Sequence, residues 1–163
     1  MIYSSIVFAA VVALLAAPAS ALDEWRIEGR VVALADGDTL TVLDAEKKWR
    51  IIRIAGIDAP ERRQPYGKAS RENLSKLVYK RTVEAQCYKR DRYGREWCRV
   101  YRGSRDVGLA QVRAGLAWHY REFMLDQASQ ERVAYAQEED AAKERRVGLW
   151  RDANPTPPWV WRR

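Results

Sequence analysis

The sequence predicts an α+β domain with a mainly β core, a five-stranded OB-fold barrel accompanied by three helices. Three observations point there. Short alternating apolar and polar runs crowd the first part of the domain, a helix-like segment follows the third run, and two more strand-like runs precede two helical segments. Five antiparallel strands with a helix after the third is the arrangement of an oligonucleotide-binding barrel, although element order alone admits other α+β folds.

The first strand is read from Trp25, Ile27, Gly29, Val31 and Ala33, which alternate with Arg26, Glu28 and Arg30 as on a half-buried strand. Asp36-Gly37-Asp38 makes a tight turn into Thr39–Leu43, a Thr- and Val-rich second strand. Trp49-Arg50-Ile51-Ile52-Arg53-Ile54 is the third, completing a meander. Gly56 to Glu61 breaks the pattern and reads as loop. Tyr66, Ala69, Ser70, Leu74, Leu77 and Val78 then share one helical face. Residues 82–89 and 95–102 form a hairpin about Asp91-Arg92-Tyr93-Gly94. Val107–Ala114 is a short helix followed by Gly115, and Leu125–Arg146 is rich in helix formers and stopped by Gly148. The Pro/Trp-rich tail, from about residue 151, reads as extended or polyproline-like, with Trp159 and Trp161 packing back on the domain.

The domain proper is expected to span residues 22–163. Before it, residues 1–21 carry no charged side chain and end in Ala19-Ser20-Ala21, the small-x-small form of a signal-peptidase site. The apolar run Ile6–Ala17 is short for a bilayer span, which needs about 20 residues. A signal peptide cleaved after Ala21 is therefore expected, with a secreted or periplasmic product; an uncleaved membrane anchor is the alternative. The chain has 29 Lys and Arg against 22 Asp and Glu, for a net charge of +7. A basic exported domain suits polyanionic partners such as DNA, RNA or an anionic surface, though solubility alone also produces modest basicity.

Cys87 and Cys98 are the two cysteines. A hairpin centred between Arg92 and Tyr93 sets them directly opposite one another, within disulfide reach, in a compartment where a disulfide persists. A structural disulfide is favoured over a catalytic thiol, because the one histidine, His119, is the only imidazole available as a base and is assigned no chemistry.

Several charged residues then call for chemistry. On its own, Asp36-Gly37-Asp38-Thr39 is a hairpin turn, and Asp58 and Glu61 are ordinary loop carboxylates. Arg53 is less ordinary: on a regular strand it shares a face with Trp49 and Ile51, so a guanidinium stands where an apolar residue is expected. That suggests an anion-binding role or a structural ion pair. Together, Asp38, Asp58 and Glu61 lie at strand ends and in one adjoining loop, with Arg53 and Arg95 nearby. Oxygen donors suit a hard cation such as calcium, and no His/Cys cluster of the zinc kind is present. Pro60 restricts Ala59 to an extended conformation that could fix its carbonyl as a further ligand. Arginines beside a cation are what phosphodiester hydrolysis asks for, since charge builds on phosphoryl oxygens in the transition state.

The segments Asp36–Thr39, Arg53–Glu61, Tyr66–Ser70, Asp91–Arg95, Val112–Ala117 and Gly148–Trp150, in this order and spacing, resemble the staphylococcal nuclease (thermonuclease) family from about Gly29 to Trp150. The resemblance implies a calcium-dependent endonuclease acting on DNA or RNA, leaving 3′-phosphate and 5′-hydroxyl ends, with single strands favoured. It implies that Asp38, Asp58 and the Ala59 backbone carbonyl hold the metal, and that Glu61 contacts its water shell and orients or deprotonates the attacking water. Arg53 and Arg95 would hold the scissile phosphate. Ala59 stands where the best-known members have Thr, which a backbone ligand survives, and the loop 62–65 is shorter than in the prototype. Tyr93, Trp118 and Tyr120 are candidate stacking platforms for bases, with core packing the competing role for Trp118. A monomer is expected. The alternatives are a barrel that binds nucleic acid or another polyanion without cutting it, and hydrolysis of some other phosphodiester in the envelope, since this machinery reads phosphate rather than base.

Overall fold

The computed structural model describes residues 24–163; the expected leader and its cleavage point lie outside the described residues. In chain order come β1 (Trp25–Leu34), β2 (Thr39–Asp44), β3 (Trp49–Ile54), the two-residue β4 (Ile57–Asp58), α1 (Gly67–Val78), β5 (Thr82–Arg90) and β6 (Glu96–Arg102). The short β7 (Arg105–Asp106), α2 (Val107–Arg113), β8 (Trp118–His119), a 3-10 turn (Arg121–Asp126) and α3 (Ser129–Glu144) follow. A second 3-10 turn (Gly148–Arg151) leads to the four-residue α4 (Pro158–Trp161).

The five long strands close into a barrel in the order β3-β2-β1-β5-β6, and β6 returns to pair with β3. That closing seam is parallel, Ile52 opposite Glu96 and Ile54 opposite Cys98, so the expectation of five antiparallel strands holds for every neighbour but this one. Closure removes the two sheet edges that would otherwise present unpaired backbone groups. Inside lie Val31, Leu40, Val42, Ile52, Ile54, Val83, Ala85 and Val100, capped by Leu74 and Val78 of α1 and by Val107 and Val112 of α2. Truncating one of the large aliphatics among them to Ala is worth about 2–5 kcal/mol in a core of this kind.

Two bulges alter the simple alternation. β1 follows it as far as Val31, then pairs Val31 with Val42 and Ala33 with Thr41, so Val32 is the extra residue. Beyond the bulge the faces exchange: Leu34 turns in and Ala33 out. In the β5–β6 hairpin the expected register holds from Glu84–Tyr101 to Cys87–Cys98, then shifts at Tyr88 so that Lys89 faces Trp97 and Arg90 faces Glu96. Such bulges sharpen local twist and re-aim side chains, here at the hairpin end that enters the site. Cys87 and Cys98 are joined by a disulfide. It ties β5 to the strand that closes the barrel.

The third strand also differs from its sequence reading. Trp49 and Ile51 are exposed, while Ile52 and Ile54 are core. The face that Arg53 shares with Trp49 and Ile51 is therefore the outer face of the barrel, not an apolar one. The tail likewise is not wholly extended: Pro158 sits at the first position of α4, where its missing N–H is no loss.

Candidate active site

The turn between β1 and β2 places Asp38. The Asp36 carboxylate accepts the Asp38 N–H (3.0 Å) and Ala35 N–H bonds to Thr39 O, which fixes the tight connection. Gly37 carries no side chain because none fits: a Cβ there would lie 1.8 Å from Ser70 Oγ on α1. Its carbonyl accepts a hydrogen bond from the buried Gln111 side chain (2.6 Å). The turn is thus clamped between two helices, and Asp38 is held rigidly at the barrel mouth.

Asp58 is placed by a feature invisible as periodicity. β4 pairs with β8, Asp58 opposite Trp118 and Ile57 opposite His119. This pins the loop after β3 against the segment after α2 and leaves Asp58 1 % exposed. Ala59 N–H donates to Asp38 Oδ2 at 2.6 Å, linking the two loops directly. Glu61 follows at the start of a turn whose N–H is capped by the Gln64 side chain.

Arg53 joins the carboxylates. Its Nη1 lies 2.8 Å from Asp38 Oδ2 and its Nη2 2.9 Å from Asp58 Oδ1, with a further bond from Nη1 to Ile54 O. Its guanidinium also faces the Trp97 ring at 5.9 Å. These partners leave it 7 % exposed, although it belongs to the outer face of the strand. Burial pushes the Asp38 carboxyl well above the usual carboxylate range, against the opposing pull of Arg53. Proximity to Asp36 and Asp58 adds to that rise.

Arg95 comes in from the hairpin, where its Nε donates to Asp91 Oδ2 at 2.7 Å. Asp91 also accepts the Arg95 and Tyr93 N–H groups, fixing the hairpin tip. All of Asp38, Arg53, Asp58, Ala59, Glu61, Tyr93, Arg95 and Tyr120 line one cleft of about 650 Å³. Trp118 does not; it packs edge-on against Trp150 and Trp159. Tyr93 is the open aromatic, 65 % exposed. Tyr120 is stacked on Trp159, with ring centroids 5.5 Å apart, and its hydroxyl is pushed up to about 12 by burial and by its bond to Glu122.

Trp97, Phe123 and Arg162 also line the cleft and, like the turn residues Asp36 and Arg92, were given no role in the sequence reading. Trp97 and Phe123 meet edge-to-face at 5.0 Å and share the Lys89 ammonium between their rings. Arg162, from the tail, donates to both oxygens of Asp58 (3.1 and 2.7 Å) and to Glu61 Oε1 (2.8 Å). Trp97 comes opposite Arg53 only through the parallel β3–β6 seam, and nothing near Arg162 in sequence signals a contact more than a hundred residues away. His119 is buried, with Nε2 3.0 Å from Gln127 Oε1, and burial holds its pKa below the usual imidazole value.

Among the described residues, no three His, Cys, Asp or Glu side chains converge as a ready-made metal cage. The donor set nevertheless fits a hard divalent cation: Asp38 and Asp58 offer only oxygens, and both are engaged by guanidinium groups in its stead.

Residues 51–152 match the family described as staphylococcal nuclease homologue. An Escherichia coli O157:H7 protein described as an uncharacterized endonuclease is 43% identical over 137 residues, covering 83% of this chain and 85% of its own. A Haemophilus influenzae protein of the same description is 40% identical over 134 residues, covering 82% and 72%. The micrococcal nuclease of Shigella flexneri is 36% identical over 166 residues, covering 96% and 90%.

Proposed function

The chain belongs to the staphylococcal nuclease family, and from that premise we propose that it is an exported, calcium-dependent endonuclease that hydrolyses phosphodiester bonds in DNA or RNA. The observation that carries this reading is the single cleft in which Asp38, Arg53, Asp58, Glu61 and Arg95 meet. A barrel that merely bound polyanions would have no use for three carboxylates at the mouth of a basic domain, because they repel the ligand.

Asp38, Asp58 and the Ala59 carbonyl would hold the calcium. When bound, it supplies positive charge beside the phosphoryl oxygens. Glu61, in the same cleft, orients the attacking water and takes its proton. Arg53 and Arg95 hold the scissile phosphate, and their planar forks stabilise charge that grows on it in the transition state. Attack from the Glu61 side with departure of the 5′-oxygen leaves a 3′-phosphate. Tyr93, the open aromatic of the cleft, offers a π-face on which any base can stack, which suits a single strand of unspecified sequence.

Export is supported by the uncharged apolar leader ending at Ala21 and by the Cys87–Cys98 disulfide, which persists in an oxidising compartment. N-terminal sequencing of the secreted protein checks it: a start at Leu22 is expected, and an intact leader on membranes would contradict it. For the reaction, single-stranded DNA and RNA are digested with calcium and with a chelator. Cutting in calcium alone, with 3′-phosphate ends that phosphatase makes extendable, is expected. Tight binding with no cutting in calcium would make this a binding barrel.

A further inference from the structure

Arg162 lines the cleft but has no part in the chemistry assigned to it. Its guanidinium occupies both oxygens of Asp58 and one of Glu61. Three of the carboxylate oxygens that would face a cation are thereby engaged by one side chain. The same segment also packs on aromatic rings: Trp159 stacks on Tyr120 with the planes tilted by 30° and meets Trp118 edge-on. One stretch of chain therefore occupies the oxygens that a cation would take and packs against one of the cleft's aromatic rings.

We propose that the C-terminal segment is an autoinhibitory strap, in which Arg162 stands in for the cation on Asp58 and Glu61 and must withdraw before the cation binds. This inference rests on the reading of Asp38 and Asp58 as cation ligands.

The strap has an anchor and a separate plug. The anchor is firm: Gln64 Nε2 donates to Thr156 O at 2.6 Å, Tyr66 Oη donates to Asp152 (3.1 Å), Pro158 is buried and Trp159 sits among aromatic rings. Beyond Trp159 the chain is held by the local backbone bonds of α4, from Val160, Trp161 and Arg162 to Pro157 and Pro158, while the Val160 and Trp161 side chains are about half exposed. Arg162 is attached chiefly through its ion pairs, and its side chain retains 43% of its exposure. A cation that competes for those oxygens can release the last turn without unfolding the anchor. If the open form is a minor population of about 1–10%, apparent cation affinity is reduced by that fraction.

Calorimetric titration of calcium into the purified protein, its Arg162→Ala variant and Asp58→Ala tests this. Arg162→Ala is expected to bind calcium roughly tenfold or more tightly than the unmodified protein, and Asp58→Ala to lose binding. Equal affinity with and without Arg162 overturns the strap and leaves the cation reading standing. No calcium binding by any form overturns the cation reading and the strap with it. Because removing a charge alone could tighten binding, movement is read separately by chymotrypsin cleavage after Trp161, followed by mass spectrometry. Faster cleavage in calcium than in chelator is expected of the unmodified protein; identical rates overturn withdrawal.

Discussion

Strand β3 and the C-terminal tail each deliver a guanidinium to Asp58, and they hold it in opposite ways. Arg53 rides on a strand paired on both sides, antiparallel to β2 and parallel to β6. It is nearly sealed among Asp38, Asp58 and Trp97. Arg162 is carried by a four-residue helix beyond the last aromatic anchor and stays substantially exposed. Burial raises the strength of an ion pair and also its desolvation penalty, so a sealed pair is sustained by the surrounding fold and an exposed one is dispensable. The contrast separates a fixed part of the site from a removable one.

The largest effect should therefore come from the strand. Arg53→Ala is expected to lower the single-turnover cleavage rate by about 10²-fold or more. It should also destabilise the protein in chelator by about 3–5 kcal/mol, since buried Asp38 loses its guanidinium partner and Asp58 keeps only Arg162. Urea melts of the variant check this, and calcium should restore part of the loss. Arg162→Ala in the same melts should cost less than Arg53→Ala, because its side chain is 43% exposed and Asp58 keeps Arg53. Comparable losses for both would erase the distinction between fixed and removable.

Reducing the disulfide is the next test. Cys98 lies opposite Ile54, the residue after Arg53, so the bond braces the seam beside the fixed arginine. Cys87→Ser with Cys98→Ser is expected to cost about 2–3 kcal/mol for so short a closed loop. The tail contacts, which reach neither β5 nor β6, should be unaffected, as read by Trp159 fluorescence.

The smallest effect concerns β8, the strand that pins Asp58. The buried His119 has its pKa below the ordinary 6.5, with desolvation the leading cause. A depressed histidine contributes stability above its unfolded value that is lost as pH falls toward the folded one. Melting temperature should accordingly decline as pH drops below about 6.5, and His119→Gln should flatten that slope. As the chain's one histidine, it is the natural source of a slope in this window. A slope unchanged in the variant would assign it to carboxylates.

Much of this was legible beforehand, for definite physical reasons. Period-two alternation in Trp25–Val31 and Thr-rich, β-branched runs mark strands, and those strands have little choice but to close. The oxygen-rich loop and its arginines were recognisable because hard cations and phosphates ask for those groups. What escaped depended on a single residue or on distance. One extra residue, Val32, reverses which side of β1 faces inward, and no periodicity announces it. Arg53 was legible as unusual for the wrong reason: its neighbours Trp49 and Ile51 are apolar yet exposed. Trp118 and Tyr120 were candidate platforms, with core packing the competing role for Trp118, and only the folded tail shows Trp159 against both. Arg162 could not be foreseen, since an arginine near a chain end is ordinary until the cleft it enters is known.

The account stands on Glu61 acting on water within this cleft, and single-turnover cleavage of a single-stranded oligonucleotide by Glu61→Gln in saturating calcium tests it most directly. A fall in rate of about 10²-fold or more, with calcium and oligonucleotide binding retained, is predicted. A rate close to that of the unmodified protein would contradict the assignment and move the catalytic centre away from this site.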